Sequence, residues 1–190
     1  MTYKEIPGYC NYHWFYDRMF YQLPDNFTMA EVGVWFGHAV AYMAQLAKQE
    51  RRHVRIFAVD TFEGSPKERK HREIVKQHGG SIYDAFQNNM KACGVASYIY
   101  PVVNDSAFAP GYIAEMMDFV FLDAEHEYMS VKQDIVSWWP WIKKGGIIAG
   151  HDYVKTWPGV CQAVDELIPR REVELGVWSY VKTDDKLPFL

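Results

Sequence analysis

Short apolar runs alternate with longer amphipathic segments along the chain. Five runs have the length and composition of strands, at 28–33, 54–60, 98–103, 118–123 and 147–150. Several are apolar at consecutive positions, as strands covered on both faces are. Between them, apolar residues recur at helical spacing, for example in 39–49 and 82–93. This alternation predicts an α/β fold in which crossover helices link a mostly parallel sheet and cover both of its faces.

Two late apolar runs are too close together for a helix to lie between them. Glu172–Leu175 and Val177–Val181 are separated only by Gly176, which predicts a terminal antiparallel hairpin and a total of seven strands.

The segment after 118–123 has a helical apolar face formed by Tyr128, Val131, Ile135, Trp138 and Ile142. The run Lys143–Gly146 is predicted to end this helix, because basic residues are favoured in a last turn and glycines beyond it.

Composition bounds the size and surroundings of the molecule. The 190 residues, 49% of them hydrophobic, suit one domain spanning 1–190. Within it, 1–27 is predicted to be an aromatic helical segment and the polar stretch 61–80 a mobile lid over the substrate. The N-terminus has no leader pattern and no run is long enough to span a membrane, so a cytoplasmic protein without membrane contact is expected.

Charge and cysteine content narrow the class of partner. The net charge of -4 offers no basic stripe for nucleic acid, so a small soluble molecule is the expected partner. The three cysteines are odd in number and widely spaced, so neither a disulfide framework nor a thiolate metal site is indicated. Homo-oligomerisation is left open.

Polar residues follow the strands where an open α/β sheet binds its ligands. Glu31, Gly33 and Gly37 lie at the end of the first strand and in the turn that follows it. The glycines let the backbone come close to a ligand. The start of the next helix would face an anion, such as an amino-acid carboxylate. The spacing differs from the G-x-G-x-x-G of dinucleotide binders. Pure turn geometry is the alternative for both glycines.

The second and third strand ends carry candidates for nucleoside recognition. Asp60 can accept hydrogen bonds from both ribose hydroxyls, with Thr61 beside it. By the same reasoning, Asp105 and Ser106 can reach an adenine amino group. In each pair, capping of a turn or helix is the competing interpretation.

The polar residues at the fourth and fifth strand ends indicate a particular kind of site, one for a divalent metal ion. Asp123 and Asp152 end consecutive strands that commonly lie side by side, and His151 precedes the second. Two carboxylates suit Mg²⁺, and the imidazole leaves Mn²⁺ open. The alternative is that Asp152 caps a turn and His151 only packs at the strand end.

Two residues near Asp123 could act as a general base. Glu125 and His126 follow it on the same loop, and an imidazole titrating near neutrality can take a hydroxyl proton. A solvated His at a helix start is the alternative. Six aromatic residues could line an acceptor pocket or belong to the core, the latter being favoured for each: Tyr12, Trp14, Phe15, Tyr16, Trp35 and Phe36.

Three stretches together resemble a known family. The run DFVFLDAEHEYMSVKQDIVSWWPWIKKGGIIAGHDY, Asp118 to Tyr153, is similar to the class I methyltransferases of the macrocin, mycinamicin and cephalosporin-tailoring group. AEVGVWFGHAV and FAVDTFEGS resemble that group's first and second cofactor motifs. The resemblance covers roughly 28–153. It departs from the group at His151, where an acid is often found.

The resemblance implies a Rossmann-like sheet with S-adenosylmethionine bound across the first three strand ends, and a metal held by Asp123, Asp152 and position 151. It also implies a base at either Glu125 or His126. Asp123 is a candidate for the catalytic and cofactor-binding residues as well as for the metal ligands. The expected activity is methyl transfer to a hydroxyl of a sugar, polyketide-type or phenolic acceptor. The competing hypotheses are a nicotinamide-dependent oxidoreductase and a non-catalytic cofactor-binding module.

Overall fold

The computed structural model describes residues 1–184 and 186–187 and contains a seven-stranded sheet. Its strands are β1 Thr28–Val32, β2 Arg55–Asp60, β3 Ile99–Val103, β4 Met117–Leu122, β5 Ile142–Gly150, β6 Glu172–Glu174 and β7 Val177–Val181. Their order is β3-β2-β1-β4-β5-β7-β6, with β7 antiparallel to both β5 and β6. The predicted mostly parallel seven-stranded sheet with a terminal hairpin is therefore confirmed.

The described part of the chain contains seven α-helices, one before β1 and the others between strands. They are α1 His13–Gln22, α2 His38–Gln49, α3 Arg69–Gln77, α4 Tyr83–Ala92, α5 Ala109–Ile113, α6 Tyr128–Trp138 and α7 Pro158–Leu167. None of the helices found among these residues is both long and apolar enough to cross a membrane.

Two apolar cores lie on opposite faces of the sheet, because successive side chains of a strand point to opposite sides. Met29 of β1 and Phe119 and Phe121 of β4 pack with α1, α2 and α4. Ala30 and Val120 pack on the other face with α6 and α7. Helices thus cover both faces, as the continuous apolar runs predicted.

The prediction for the end of α6 is wrong. The helix ends at Trp138, a 3-10 turn spans Trp139–Trp141, and Ile142 already belongs to β5. Pro140 lacks the N–H that a continuing helix needs, which accounts for the early end. The basic and glycine residues 143–146 lie within β5 instead, at a register shift against β4, and Lys143 Nζ lies 2.8 Å from each carboxylate oxygen of Asp118.

The stretch 61–80 contains the helix α3, which the sequence interpretation did not predict. The helix contacts the body of the protein through His71, whose ring stacks on Trp35 with centroids 4.3 Å apart. Its role as a mobile lid stays a prediction.

Candidate active site

A cleft of about 880 Å³ lies outside the carboxyl ends of the parallel strands. It is centred where the strand order reverses between β1 and β4, which is where open α/β sheets bind ligands. All five parallel strands contribute polar residues to its wall: Glu31, Asp60, Thr61, Asn104, Asp105, Ser106, Asp123, Glu125, His126, His151 and Asp152. The structure therefore brings together the side chains that the strand ends predicted.

The two predicted glycines have different surroundings. Gly33 lines the cleft at φ 89°, and a Cβ there would lie 2.1 Å from the backbone oxygen of Asp123. Only glycine permits this close approach of β1 and β4 at the crevice. Gly37 does not line the cleft. A Cβ there would meet Met90 and Phe86, so its packing matches the purely structural alternative.

Asp60 joins β2 to the glycine turn. One of its oxygens accepts a hydrogen bond from the Trp35 backbone N–H at 2.8 Å, and the other accepts one from Phe62 at 2.7 Å. A carboxylate has further lone pairs, so turn capping and ligand binding are compatible here. Burial raises the pKa of Asp60, against the lowering influence of these backbone hydrogen bonds. Thr61 also lines the cleft.

At the third strand end, capping and cleft lining again coincide. Asp105 accepts a hydrogen bond from the backbone N–H of Ala107, as a capping residue does, and also lines the cleft. The Ser106 hydroxyl donates to Asp134 of α6 at 2.5 Å. Burial raises the pKa of Asp134 to about 7. The hydroxyl of Ser106 is therefore held in place by a side chain from a different element.

Glu31 is a buried carboxyl group at the floor of the cleft. Only 1% of its surface is exposed, and the Tyr16 hydroxyl donates a 2.6 Å hydrogen bond to it. Burial raises the pKa of Glu31 to about 8, so it carries a proton at neutral pH.

Asp123, His151 and Asp152 form a compact cluster. In the β4–β5 register, Leu122 lies opposite Gly150, so the residues that follow them emerge side by side. His151 Nδ1 lies 3.7 Å from an oxygen of Asp123 and 3.3 Å from one of Asp152. One donor atom from each of the three residues lies within 4.8 Å of the others.

The chemistry of this donor set fits a divalent cation. Two carboxylates and one imidazole suit Mg²⁺ or Mn²⁺ better than a soft metal. Burial raises the pKa of Asp123 to about 6. Asp152 has φ 60°, a backbone conformation that non-glycine residues rarely adopt and that is concentrated at functional sites.

His126 lies beside this cluster. Its Nε2 is 2.8 Å from Asp152 Oδ2, and its ring stacks on Trp157 with centroids 4.1 Å apart. Burial would lower the pKa of His126, but the hydrogen bond to Asp152 and the nearby carboxylates outweigh it and raise the pKa. Glu125 also lines the cleft, and its charge contributes to the raised pKa of Asp134.

The aromatic residues of the N-terminus divide between the core and the cleft. Phe15 and Tyr16 are buried in the core, together with Phe36, and Trp14 packs against it. Tyr12 and Trp35 line the cleft, and the Tyr12 hydroxyl donates a 2.9 Å hydrogen bond to Asp123. The N-terminal segment therefore reaches the end of β4.

Trp157, His71 and Glu68 are among the cleft residues that the sequence interpretation did not name. Trp157 stacks on His126, His71 stacks on Trp35, and a carboxylate oxygen of Glu68 lies 4.0 Å from His126 Nδ1. Their proximity in sequence to predicted strand ends is what could have indicated them. Glu68 and His71 lie in the polar stretch after β2, and Trp157 follows Asp152 by five residues.

The family of the chain is shown by its sequence match to a family model. Residues 30–153 match the family model described as a methyltransferase domain, and the chain belongs to that family. This confirms the methyltransferase assignment and supports S-adenosylmethionine as the cofactor. The narrower macrocin, mycinamicin and cephalosporin-tailoring grouping stays a prediction. No curated protein sequence matches the chain.

Solved structures share the fold at low sequence identity. The O-methyltransferase NovP has a TM-score of 0.69 at 16% identity, over 92% of this chain and 78% of that one. CalS11, a TDP-rhamnose 3'-O-methyltransferase of calicheamicin biosynthesis, has a TM-score of 0.63 at 20% identity, over 90% and 78%. An rRNA methylase from Streptococcus thermophilus has a TM-score of 0.63 at 12% identity, over 93% and 98%. At these identities the likeness establishes the fold.

Proposed function

We propose that this chain is a metal-assisted O-methyltransferase that acts on a small molecule with neighbouring hydroxyl groups. One observation carries the proposal. The cleft of this methyltransferase contains a nucleoside-type half, with Asp60 and Ser106, and a hard-donor cluster of Asp123, His151 and Asp152. A cofactor and an oxygen-rich acceptor held in these halves would meet at the end of β4.

The residues that would hold S-adenosylmethionine come from three strand ends. Asp60 would accept the ribose hydroxyls, and Asp105 and Ser106 would face the adenine. The backbone at Gly33 would admit the amino-acid part. When bound, S-adenosylmethionine supplies a methyl group activated on a sulfonium, and a divalent cation lowers the pKa of a nearby hydroxyl.

His126 is the base that the geometry favours. Its Nε2 is engaged by Asp152 and its ring is fixed by Trp157, so Nδ1 is the atom available to take a hydroxyl proton. Asp152 orients the ring and stabilises the imidazolium that results. Glu125, which also lines the cleft, is the alternative base.

Chemical complementarity supports a small-molecule acceptor. Trp35, Trp157 and Tyr12 provide aromatic walls, and the cleft carries several carboxylates that would repel a phosphate backbone. Sugars and phenols combine a flat or apolar face with adjacent hydroxyls, and both match this lining. Little covalent chemistry falls to the protein, so positioning and electrostatics would supply most of the rate.

The test follows S-adenosylhomocysteine formation with catechol and with vicinal-diol glycosides, in Mg²⁺, in Mn²⁺ and in EDTA. We expect turnover that requires both an acceptor and the metal. His126→Gln should lose roughly 10²- to 10⁴-fold in rate. His53→Gln is the matched control, because His53 is exposed and lies just before β2, at the amino ends of the parallel strands.

Equal turnover in EDTA would refute metal assistance. Binding of S-adenosylhomocysteine with no turnover on any acceptor would instead favour the non-catalytic module. If His126→Gln keeps full activity and Glu125→Gln loses it, the general base is Glu125 and not His126.

A further inference from the structure

A second group of metal-ligating side chains lies at the edge of the cleft, apart from the acidic cluster. Cys10 precedes α1, His13 is the first residue of α1, and His38 is the first residue of α2. One donor atom from each lies within 4.8 Å of the other two. We propose that Cys10, His13 and His38 bind a zinc ion that fastens the N-terminal segment to α2.

One imidazole nitrogen of each histidine in this group lacks a hydrogen-bond partner. Within residues 1–184 and 186–187, the Nε2 atoms of His13 and His38 are buried without a hydrogen-bond partner. Burying a polar atom without a hydrogen-bond partner is unfavourable, so such atoms call for an explanation. A metal ion would satisfy both nitrogens at once.

The ring of His38 already has the arrangement that metal-bound histidines adopt. Its Nδ1 lies 3.0 Å from the backbone oxygen of Ile6, which leaves Nε2 as the free donor. Metal-binding histidines usually donate their second ring N–H to a carbonyl or carboxylate, which fixes the tautomer. The rings of Tyr3 and Tyr42 pack against His13, with centroids 5.2 and 4.4 Å away, and restrict its orientation.

The electrostatics around the group favour neutral ligands when no ion is bound. Burial lowers the pKa of His13, and the neighbouring His38 lowers it further. Burial raises the pKa of Cys10 to about 12. Metal binding would therefore replace the thiol proton, with an S–Zn bond formed as the S–H bond breaks and the proton passes to water.

The donor types distinguish this group from the acidic cluster. One sulfur and two imidazole nitrogens suit Zn²⁺, whereas carboxylate oxygens suit Mg²⁺ and Mn²⁺. Among the described residues, this group has three protein donors, so a tetrahedral ion would keep its fourth position for water. The two groups should therefore be separable by the metal that each prefers.

The site would link the N-terminus to the catalytic centre. Cys10 lies two residues before Tyr12, whose hydroxyl contacts Asp123. His38 opens α2 directly after the glycine turn. A zinc ion between them would hold Tyr12 over the end of β4. The inference rests on the side chains of this group and is independent of the proposed methyl acceptor.

Cobalt titration of the metal-free protein tests the proposal, because a thiolate ligand gives a sulfur-to-cobalt charge-transfer band that carboxylate sites do not. We expect a band that saturates at one ion per chain in the wild type and in Asp152→Asn. Cys10→Ser should abolish the band. His38→Gln should weaken binding by more than the roughly 10- to 100-fold typical of losing an outer-shell partner.

Cys161→Ser is the matched control, because Cys161 is a partly exposed thiol outside this group, and it should keep the band. Zn²⁺ should displace Co²⁺ and raise the melting temperature of the wild type but not of His38→Gln. If circular dichroism shows that Cys10→Ser is unfolded, the loss of metal binding in His38→Gln tests the proposal instead. The absence of a band in the wild type, or its loss only in Cys161→Ser, would overturn the proposal.

Discussion

At the scale of single residues, carboxylates that line the cleft also cap the turns beside it. Asp60 caps the turn that carries Trp35 while facing the cleft, and Ser106 is fixed by Asp134. The sequence posed capping and binding as alternatives for Asp60 and for Asp105. In the structure both carboxylates cap and also line the cleft, and a carboxylate has more lone pairs than these caps use, so the two interpretations are compatible.

Glu31 gives a prediction for stability against pH. Its pKa is about 8 in the folded protein and 4.5 in an exposed state, so unfolding releases a proton between these values. Stability from this group is complete below pH 4.5 and is lost as the pH rises toward 8, at about 1.4 kcal/mol per pH unit. Glu31→Gln mimics the protonated form and should remove that loss.

Urea unfolding from pH 5 to 9 measures the effect. Glu31→Gln should lose less stability than the wild type over this range, and the exposed control Glu63→Gln should follow the wild type. Parallel pH profiles for the wild type and Glu31→Gln would show that Glu31 is ionised in the folded protein.

At the scale of elements, the apolar pattern predicted the central strands β1 and β4 well because both are buried along their whole length. The errors lie where one residue changes the local geometry. Pro140 ends α6 at Trp138, and the glycines expected to cap that helix instead lie at a register shift in β5. Helix α3 was missed because only Val75 in it is buried, so it has almost no apolar face to detect.

The small contact surface of α3 predicts that the lid segment opens readily. His71 stacks on Trp35 at an interplanar angle of 26°, and such ring contacts contribute about 0.5–1.5 kcal/mol. His71→Ala should therefore speed amide hydrogen exchange in α3 by roughly 2- to 10-fold.

Arg69→Ala is the matched control, because Arg69 is exposed and its ion pair is with Glu73 of the same helix. Exchange that is equal in the wild type, His71→Ala and Arg69→Ala would mean that the stacking contact does not hold the segment closed.

At the scale of the whole molecule, strand order decides which predicted residues meet. Neighbouring strands β4 and β5 bring Asp123 and His151 together, as their sequence order suggested. Contacts from outside the parallel sheet were not predictable from local pattern. Cys10 and Tyr12 approach the cleft from the N-terminus, and Trp157 closes on His126 from the start of α7. These depend on tertiary packing between segments far apart in the chain.

We propose above all that the cleft of this methyltransferase binds S-adenosylmethionine through Asp60. Isothermal titration with S-adenosylhomocysteine, with and without Mg²⁺, tests it most directly. We predict saturable binding to the wild type and to Asp25→Asn, an exposed control, and a loss of about 10- to 100-fold in Asp60→Asn, as expected when a charge-assisted hydrogen bond is removed. No binding to the wild type, with saturable binding of NADH instead, would contradict the account.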